Sequence, residues 1–291
     1  MTWLIEPFSY TFMRTGLIAA VLISVSCAAV GTHVVARRMS FLGDALAHTV
    51  LPGIVIAYMV GASLIVGSLI SAIVTVLLIA VLTRGNNVRE DAAIGVAFTG
   101  MFALGILLLS TTNSFRDFSH VLFGNILGID NNDLIALTII AGVVLIALII
   151  FRRELELTAT DRTHAQAIGL RPDLVRMGLL LLLAPAISGG IQAVGVLLTT
   201  ALLITPAAGA FLVTRRFRST VLVAVVVAVV ASVSGMIISF HVGVSTGATI
   251  ALCACAGFAV CWCVAALQRY RRLRTPTAPP QALDPQRAHH G

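Results

Sequence analysis

The 291-residue chain contains no lysine: its 19 basic residues are all arginine, set against 12 Asp and Glu. A phosphate-binding loop of the form G-x-x-x-x-G-K-[ST] therefore cannot occur in it, and any ATP that drives this protein is hydrolysed by another subunit. Charge of either sign is scarce at 11% of residues, where an ordinary soluble domain carries roughly a quarter. Aromatics make up only 6%, whereas hydrophobic residues reach 58% and mean hydropathy is +1.02. A water-soluble globule is excluded. At about 20 apolar residues per crossing, the chain has room for eight or nine transmembrane helices and for no catalytic domain beside them. The expected fold class is an all-α, polytopic membrane protein.

Cysteine is also sparse, and four of the five (Cys253, Cys255, Cys261, Cys263) share one apolar block. A helix advancing about 100° per residue scatters them around its circumference, so they and Cys27 are read as small packing residues, not as a metal or disulfide cluster. Residues 1–10 include acidic Glu6 and offer neither a basic n-region nor a small-residue cleavage site. The first span is therefore expected to stay in the mature protein.

What is present is organised by arginine. The formal charge of +7 would suit a nucleic-acid binder, but the arginines punctuate apolar blocks instead of gathering on one surface, so no nucleic acid is expected as a partner. Breaking the chain at Gly, Pro, Asn and charge clusters gives nine blocks, near 15–36, 42–60, 62–83, 91–110, 133–151, 174–193, 195–213, 219–240 and 247–267; shifting the first two would leave eight. Arg37 and Arg38, Arg84 and Arg89, Arg152 to Arg171, Arg215 to Arg218 and Arg269 to Arg274 fall at alternate block ends, which marks those ends as cytoplasmic. The N-terminus is then outside and the C-terminus inside. Residues 1–274 form the membrane domain, and 275–291, with four prolines, read as a disordered cytoplasmic tail.

Two segments between spans are long enough to carry structure. The outer one, 111–132, contains Phe123-Gly124-Asn125-Ile126-Leu127-Gly128. In the inner one, Asp161 is a good N-cap, Gly169 a good C′ residue, and Ala165 and Ile168 lie three apart on one face, which specifies a helix of about two turns. Such a helix is either a docking element or a surface helix.

Acidic residues are nearly absent from the blocks. Asp91 lies at a span end, and Asp44 is the exception. A carboxylate in hydrocarbon costs about 2.5–3.5 kcal/mol even on the mild insertion scale, so Asp44 must face a partner, a cavity or an ion. His48 follows at i+4, on the same helical face and one turn away, where both side chains reach one cation. Carboxylate with imidazole suits Mn²⁺, Fe²⁺ or Zn²⁺ better than Ca²⁺. Pro52 cannot donate to the carbonyl of His48, which offers a further oxygen. The competing reading is a buried Asp–His hydrogen bond that merely holds two helices together. Two ligands do not fill a coordination sphere, and two copies meeting at a two-fold axis would double the set.

Elsewhere, Thr199, Thr200 and Thr205 are expected to bond to their preceding turns, Pro185 and Pro206 to kink their helices, and His33 to be interfacial. Pro52, Thr205 and Pro206 are candidate pathway residues. Gly243-Val244-Ser245-Thr246-Gly247 matches G-x-S-x-G, which founds a weaker alternative: an intramembrane serine protease pairing Ser245 with His48 or His241.

The string Arg37-Arg38-Met39-Ser40-Phe41-Leu42-Gly43-Asp44-Ala45-Leu46-Ala47-His48-Thr49-Val50-Leu51-Pro52-Gly53 closely resembles the signature of the permeases of manganese/zinc/chelated-iron ABC importers. Residues 122–129 (LFGNILGI), 154–170, 194–210 (VGVLLTTALLITPAAGA), 214–217 and 246–252 resemble that family in order. The resemblance implies a homodimeric permease in a bacterial cytoplasmic membrane, joined by cytosolic ATP-binding subunits and supplied by an extracytoplasmic metal-binding protein. It implies that Asp44 and His48 contact the transported Mn²⁺ or Zn²⁺, or Fe²⁺, with no permanently bound cofactor, and that residues 161–169, with Asp161, Ala165, Ile168 and Gly169, form the coupling helix seated on the ATPase. One departure stands out: where the family has Ser-Tyr-x-x-Asp-x-Pro-x-Gly, this chain carries Ser239, Phe240, Gly243 and Ser245, so an outer acidic contact is missing. A self-sufficient metal carrier or channel is the non-ABC alternative.

Overall fold

A computed structural model of the chain describes residues 6–83, 88–111 and 128–274. After a short 3-10 turn, Glu6–Ser9, the described residues form α-helices only: α1 (Thr11–Ala36), α2 (Ser40–Thr49), α3 (Leu51–Val60), α4 (Leu64–Thr83), α5 (Glu90–Ser110), α6 (Asn131–Ile150), α7 (Arg152–Thr160), α8 (Arg162–Ala167), α9 (Pro172–Val194), α10 (Val196–Val213), α11 (Phe217–Val242) and α12 (Thr246–Arg274). Among the described residues nine spans are long and apolar enough to cross a membrane, with α2 and α3 together making the second, Ser40–Val60. The block boundaries read from the sequence hold within a few residues, except that α1 starts earlier and takes in Arg14 and the last helix runs on to Arg274. The expected tail at 275–291 and most of the LFGNILGI string lie outside the described residues.

The bundle is built around its first two spans. The most apolar windows of spans 1 and 2 are 72% and 67% buried, against 22% for α6 and for the last span. On α6 the exposed residues Ile135, Ile139, Val143 and Ile146 recur at helical spacing, a stripe suited to lipid. Lipid tails are as apolar as leucine, so helices in a bilayer associate by close packing and hydrogen bonds rather than by hydrophobic burial. Span 1 accordingly turns alanines, serines and Gly31 inward. A Cβ on Gly31 would stand 1.8 Å from the Leu203 carbonyl oxygen of α10. Buried Ser24 bonds the hydroxyl of Ser232 on α11 at 2.5 Å. Gly31→Ala must part α1 from α10 and is expected to cost about 1–3 kcal/mol, seen as a lower melting temperature of the purified chain in detergent. Gly142→Ala, with open space around the new methyl, should leave the melting temperature unchanged or raise it.

Hydrogen bonds fix which helix ends share an edge. Arg37, just past α1, bonds to α7, and Arg176 of α9 reaches Thr83 at the end of α4 at 3.5 Å. Tyr10, before α1, packs at a tilt against Phe240 of α11, ring centroids 5.9 Å apart, on the opposite edge. The arginine-marked ends therefore converge on one side, as the alternating pattern requires.

Candidate metal site

The chain leaves α1 by a tight reversal. Arg38 takes a left-handed φ of 59°, and the Arg38 and Met39 amides donate to Val35 and Val34 carbonyls. Helix α2, which bears Asp44 and His48, starts immediately afterwards at Ser40 and ends at Thr49 with Val50 as its C-cap, because Pro52 occupies the first turn of α3. Across that break α3 lies against α4 with no space for side chains: a Cβ on Gly53 would sit 2.0 Å from the Gly67 carbonyl oxygen.

Asp44 and His48 project together from α2. Oδ1 of Asp44 is 3.9 Å from Nε2 of His48, and the two side chains are 49% and 31% exposed in the single chain. That separation is too long for a hydrogen bond, yet metal–ligand bonds of about 2.1 Å let one cation touch both atoms. The buried Asp–His tie considered from the sequence is therefore not what forms. Among the described residues no third His, Cys, Asp or Glu joins them in a cluster. His48 is instead backed by α5: its ring meets Phe102 at 5.6 Å and 74° and Phe98 at 6.0 Å and 65°. Those two phenyl rings stack on each other at 5.8 Å, and Phe41 meets Phe98 edge-on. The imidazole is thus held from behind by aromatic edges while its Nε2 looks toward Asp44.

Several expectations need correction. The His48 carbonyl is not released to a metal: the break at Val50 turns the Val50 amide onto it, and the next carbonyl, that of Thr49, accepts from the Ser71 hydroxyl at 2.7 Å. A helix that breaks before its proline redistributes the donors, so the proline leaves no orphan oxygen at that residue. His33, near the end of span 1, is buried within the bundle, with its ring 4.8 Å from Phe217 at the start of α11. The G-x-S-x-G match is no nucleophile elbow, since helix α11 precedes it where a strand is required. Its neighbour Ser239 is occupied closing the α11–α12 turn, donating to the Val244 carbonyl and pairing with Thr246. Thr199 and Thr200 bond to their preceding turns as expected, Pro185 and Pro206 lie inside α9 and α10, and Pro206 is buried beside half-buried Thr205.

The helix expected within 161–169 forms outside the spans and is shorter than two turns. α8 has six residues, capped by the Asp161 carboxylate accepting from the His164 amide at 2.9 Å. It is closed by Gly169 at φ 86°, whose following amide on Leu170 donates to the Ala165 carbonyl. Ala165 and Ile168 do not share a docking face. Ala165 is fully buried where α8 meets α7 and α9, whereas Ile168, already the C-cap, turns outward and is 53% exposed.

Sequence reasoning missed the aromatic backing of His48 and treated Arg37 as a topology mark only. Phe98 and Phe102 are spaced i, i+4, a visible signal, but nothing in the sequence says that they meet α2.

Residues 9–265 match the model of the ABC 3 transport family. The chain is 40% identical over 247 residues to the chelated iron transport system membrane protein YfeD of Yersinia pestis, covering 85% of this chain and 83% of that one. It is 38% identical over 256 residues to the manganese transport system membrane protein MntC of Halalkalibacterium halodurans, covering 88% of each. PsaBC from Streptococcus pneumoniae, solved in complex with Fab, superimposes with a TM-score of 0.83 at 31% identity over 93% of this chain and 98% of that one. With nine apolar spans, a family match over most of its length and relatives of this likeness on nearly the whole chain, the protein is a multi-pass membrane protein that belongs to the ABC 3 transport family.

Proposed function

We propose that this chain is the permease subunit of an ATP-driven importer of a divalent metal ion, Mn²⁺ or Zn²⁺ and next Fe²⁺, with Asp44 and His48 as its transient site. The observation that carries the reading is an ionisable pair left open on the flank of the second span. A carboxylate there cannot face lipid, so it faces water or a second copy of this chain. Two copies related by a two-fold axis bring two carboxylates and two imidazoles to one pathway. Two ligands per copy strip part of the ion's water shell without caging it, and conduction needs binding weak enough to release. The manganese and chelated-iron relatives support the substrate class.

ATP enters through other subunits, since no P-loop is present. They engage the α8 segment, Asp161 to Gly169, which stands outside the spans on the arginine-marked side and offers Ile168 to a groove. A metal-binding protein delivers the ion from the other side. Pro52, Thr205 and Pro206 interrupt or soften the helices that must move as the pathway opens alternately. The test is ATP hydrolysis by the complex reconstituted in liposomes with its ATPase subunits and delivery protein. Mn²⁺ or Zn²⁺ should stimulate hydrolysis severalfold and accumulate only with ATP. Metal uptake by this chain alone, without ATP, would identify a secondary carrier or channel instead.

A further inference from the structure

The residue that closes span 1 reaches across to the cytoplasmic segment. Arg37 donates from Nη1 to the His33 carbonyl at 3.1 Å, which fixes the guanidinium to its own helix. From Nη2 it donates to the Leu155 carbonyl at 2.8 Å and to the Thr158 hydroxyl at 3.0 Å, joining positions 118 and 121 residues apart. Thr158 accepts from Arg37 while its own hydroxyl donates to the Glu154 carbonyl at 2.7 Å, so the contact continues into the backbone of α7. α7 runs directly into α8 through Asp161. On its other side Arg37 leads through the left-handed Arg38 into Ser40, where the helix bearing Asp44 and His48 begins.

We propose that Arg37 is the joint that transmits movement of the α7–α8 segment to the metal helix α2, so that it couples the two ends of the machine rather than merely marking topology. The inference rests on the function proposed above and deepens it. A guanidinium is suited to the task because one rigid planar group holds two elements at once in a fixed geometry. Burial draws its pKa down to about 10, which leaves it charged at neutral pH and keeps its hydrogen bonds charge-assisted. Space to move is present. A cavity of about 250 Å³ adjoins the contact, lined among others by Arg37, Arg38, Thr158, Arg162, Asp173 and Arg176. The pair Arg162–Asp173 at 2.7 Å ties the start of α8 to α9 across the same cavity, so α8 is held to α9 while α7 is held to span 1.

The experiment measures metal transported per ATP hydrolysed by the reconstituted complex, with Mn²⁺ as probe, together with retention of the ATPase subunits on the purified permease. Arg37→Met should lower the ratio about tenfold or more, the factor that corresponds to one hydrogen bond to a charged group, with the ATPase still bound. Arg37→Lys keeps the charge without the fork and should fall between Arg37→Met and the unaltered chain. Thr158→Val, nearly isosteric, should lower the ratio severalfold, Thr158→Ser should restore it, and Thr158→Val should add nothing to Arg37→Met. A merely structural Arg37 predicts a lower melting temperature with an unchanged ratio, and that outcome overturns the proposal. Should Arg37→Met fail to assemble, Arg37→Lys and Thr158→Val decide, and normal ratios in both sink it. Asp44→Ala in the same assay keeps the two claims apart: uptake lost there but fully coupled Arg37 and Thr158 variants reject the joint alone, whereas normal uptake rejects the functional reading beneath it.

Discussion

Asp44→Ala and His48→Ala are each expected to lower Mn²⁺ uptake by the reconstituted complex by about a hundredfold or more while the ATPase subunits remain bound. Losing even a residue that only orients a metal ligand costs about 10–100-fold, and here one ligand of two per copy is removed. Stability is the discriminating second measurement. Oδ1 and Nε2 are 3.9 Å apart and both side chains are partly open, so little native hydrogen bonding is lost. For Asp44→Ala the melting temperature should therefore correspond to a change within about 0.5 kcal/mol, as at surface sites, whereas His48→Ala also loses the ring contacts with Phe98 and Phe102 and should cost about 1 kcal/mol. If the pair were structural glue, the order would reverse: a marked drop in melting temperature with normal uptake. Asp44→Asn separates charge from shape. It keeps an oxygen at the same place but not the anion, and uptake near the unaltered level would show that the carboxylate charge is dispensable, contrary to the proposed site.

Ile168→Glu is expected to weaken binding of the ATPase subunits about 10–100-fold. The side chain is half exposed on a segment outside the membrane, and fully burying an isoleucine in a partner's groove contributes about 1.5–3 kcal/mol. A carboxylate in the same groove adds a desolvation cost in the same direction. The measurement is the Kd of the detergent-purified permease for its ATPase, with metal-stimulated hydrolysis alongside, and an unchanged Kd refutes the docking assignment. Ala165→Glu makes the contrast that the fold demands. Ala165 is fully buried where α8 meets α7 and α9, so the charge should disrupt the segment itself, seen as protease sensitivity within residues 152–171 rather than as an intact permease with weak affinity.

The corrections have distinct physical causes. Ala165 and Ile168 satisfy the spacing of a common face, but Ala165 lies within the six-residue helix and is buried, whereas Ile168 is already its C-cap beside the left-handed Gly169 and is exposed. Pro52 satisfies the rule for an orphan carbonyl four residues back, but the helix broke at Val50 and supplied other donors. His33 carries the polarity of an interfacial residue, but the aromatic packing of Phe217 put it inside. For Ile168 and Pro52 the deciding feature is local, a left-handed glycine and a helix break, whereas for His33 it is Phe217, far along the chain.

Eight or nine apolar spans, arginines at alternate block ends, the lack of a lysine P-loop and the i, i+4 spacing of Asp44 and His48 are read from the chain alone, because hydropathy, charge placement and helical spacing are local properties that a bilayer enforces without reference to the rest of the fold. Tertiary structure alone decided that the pair stands open on the flank of its helix, that Phe98 and Phe102 back the imidazole, and that Arg37 grips the arm leading to α8. In a chain so uniformly apolar every helix has many faces it can bury, and which one it buries is settled by close contacts such as Gly31 on Leu203, which no periodicity reveals.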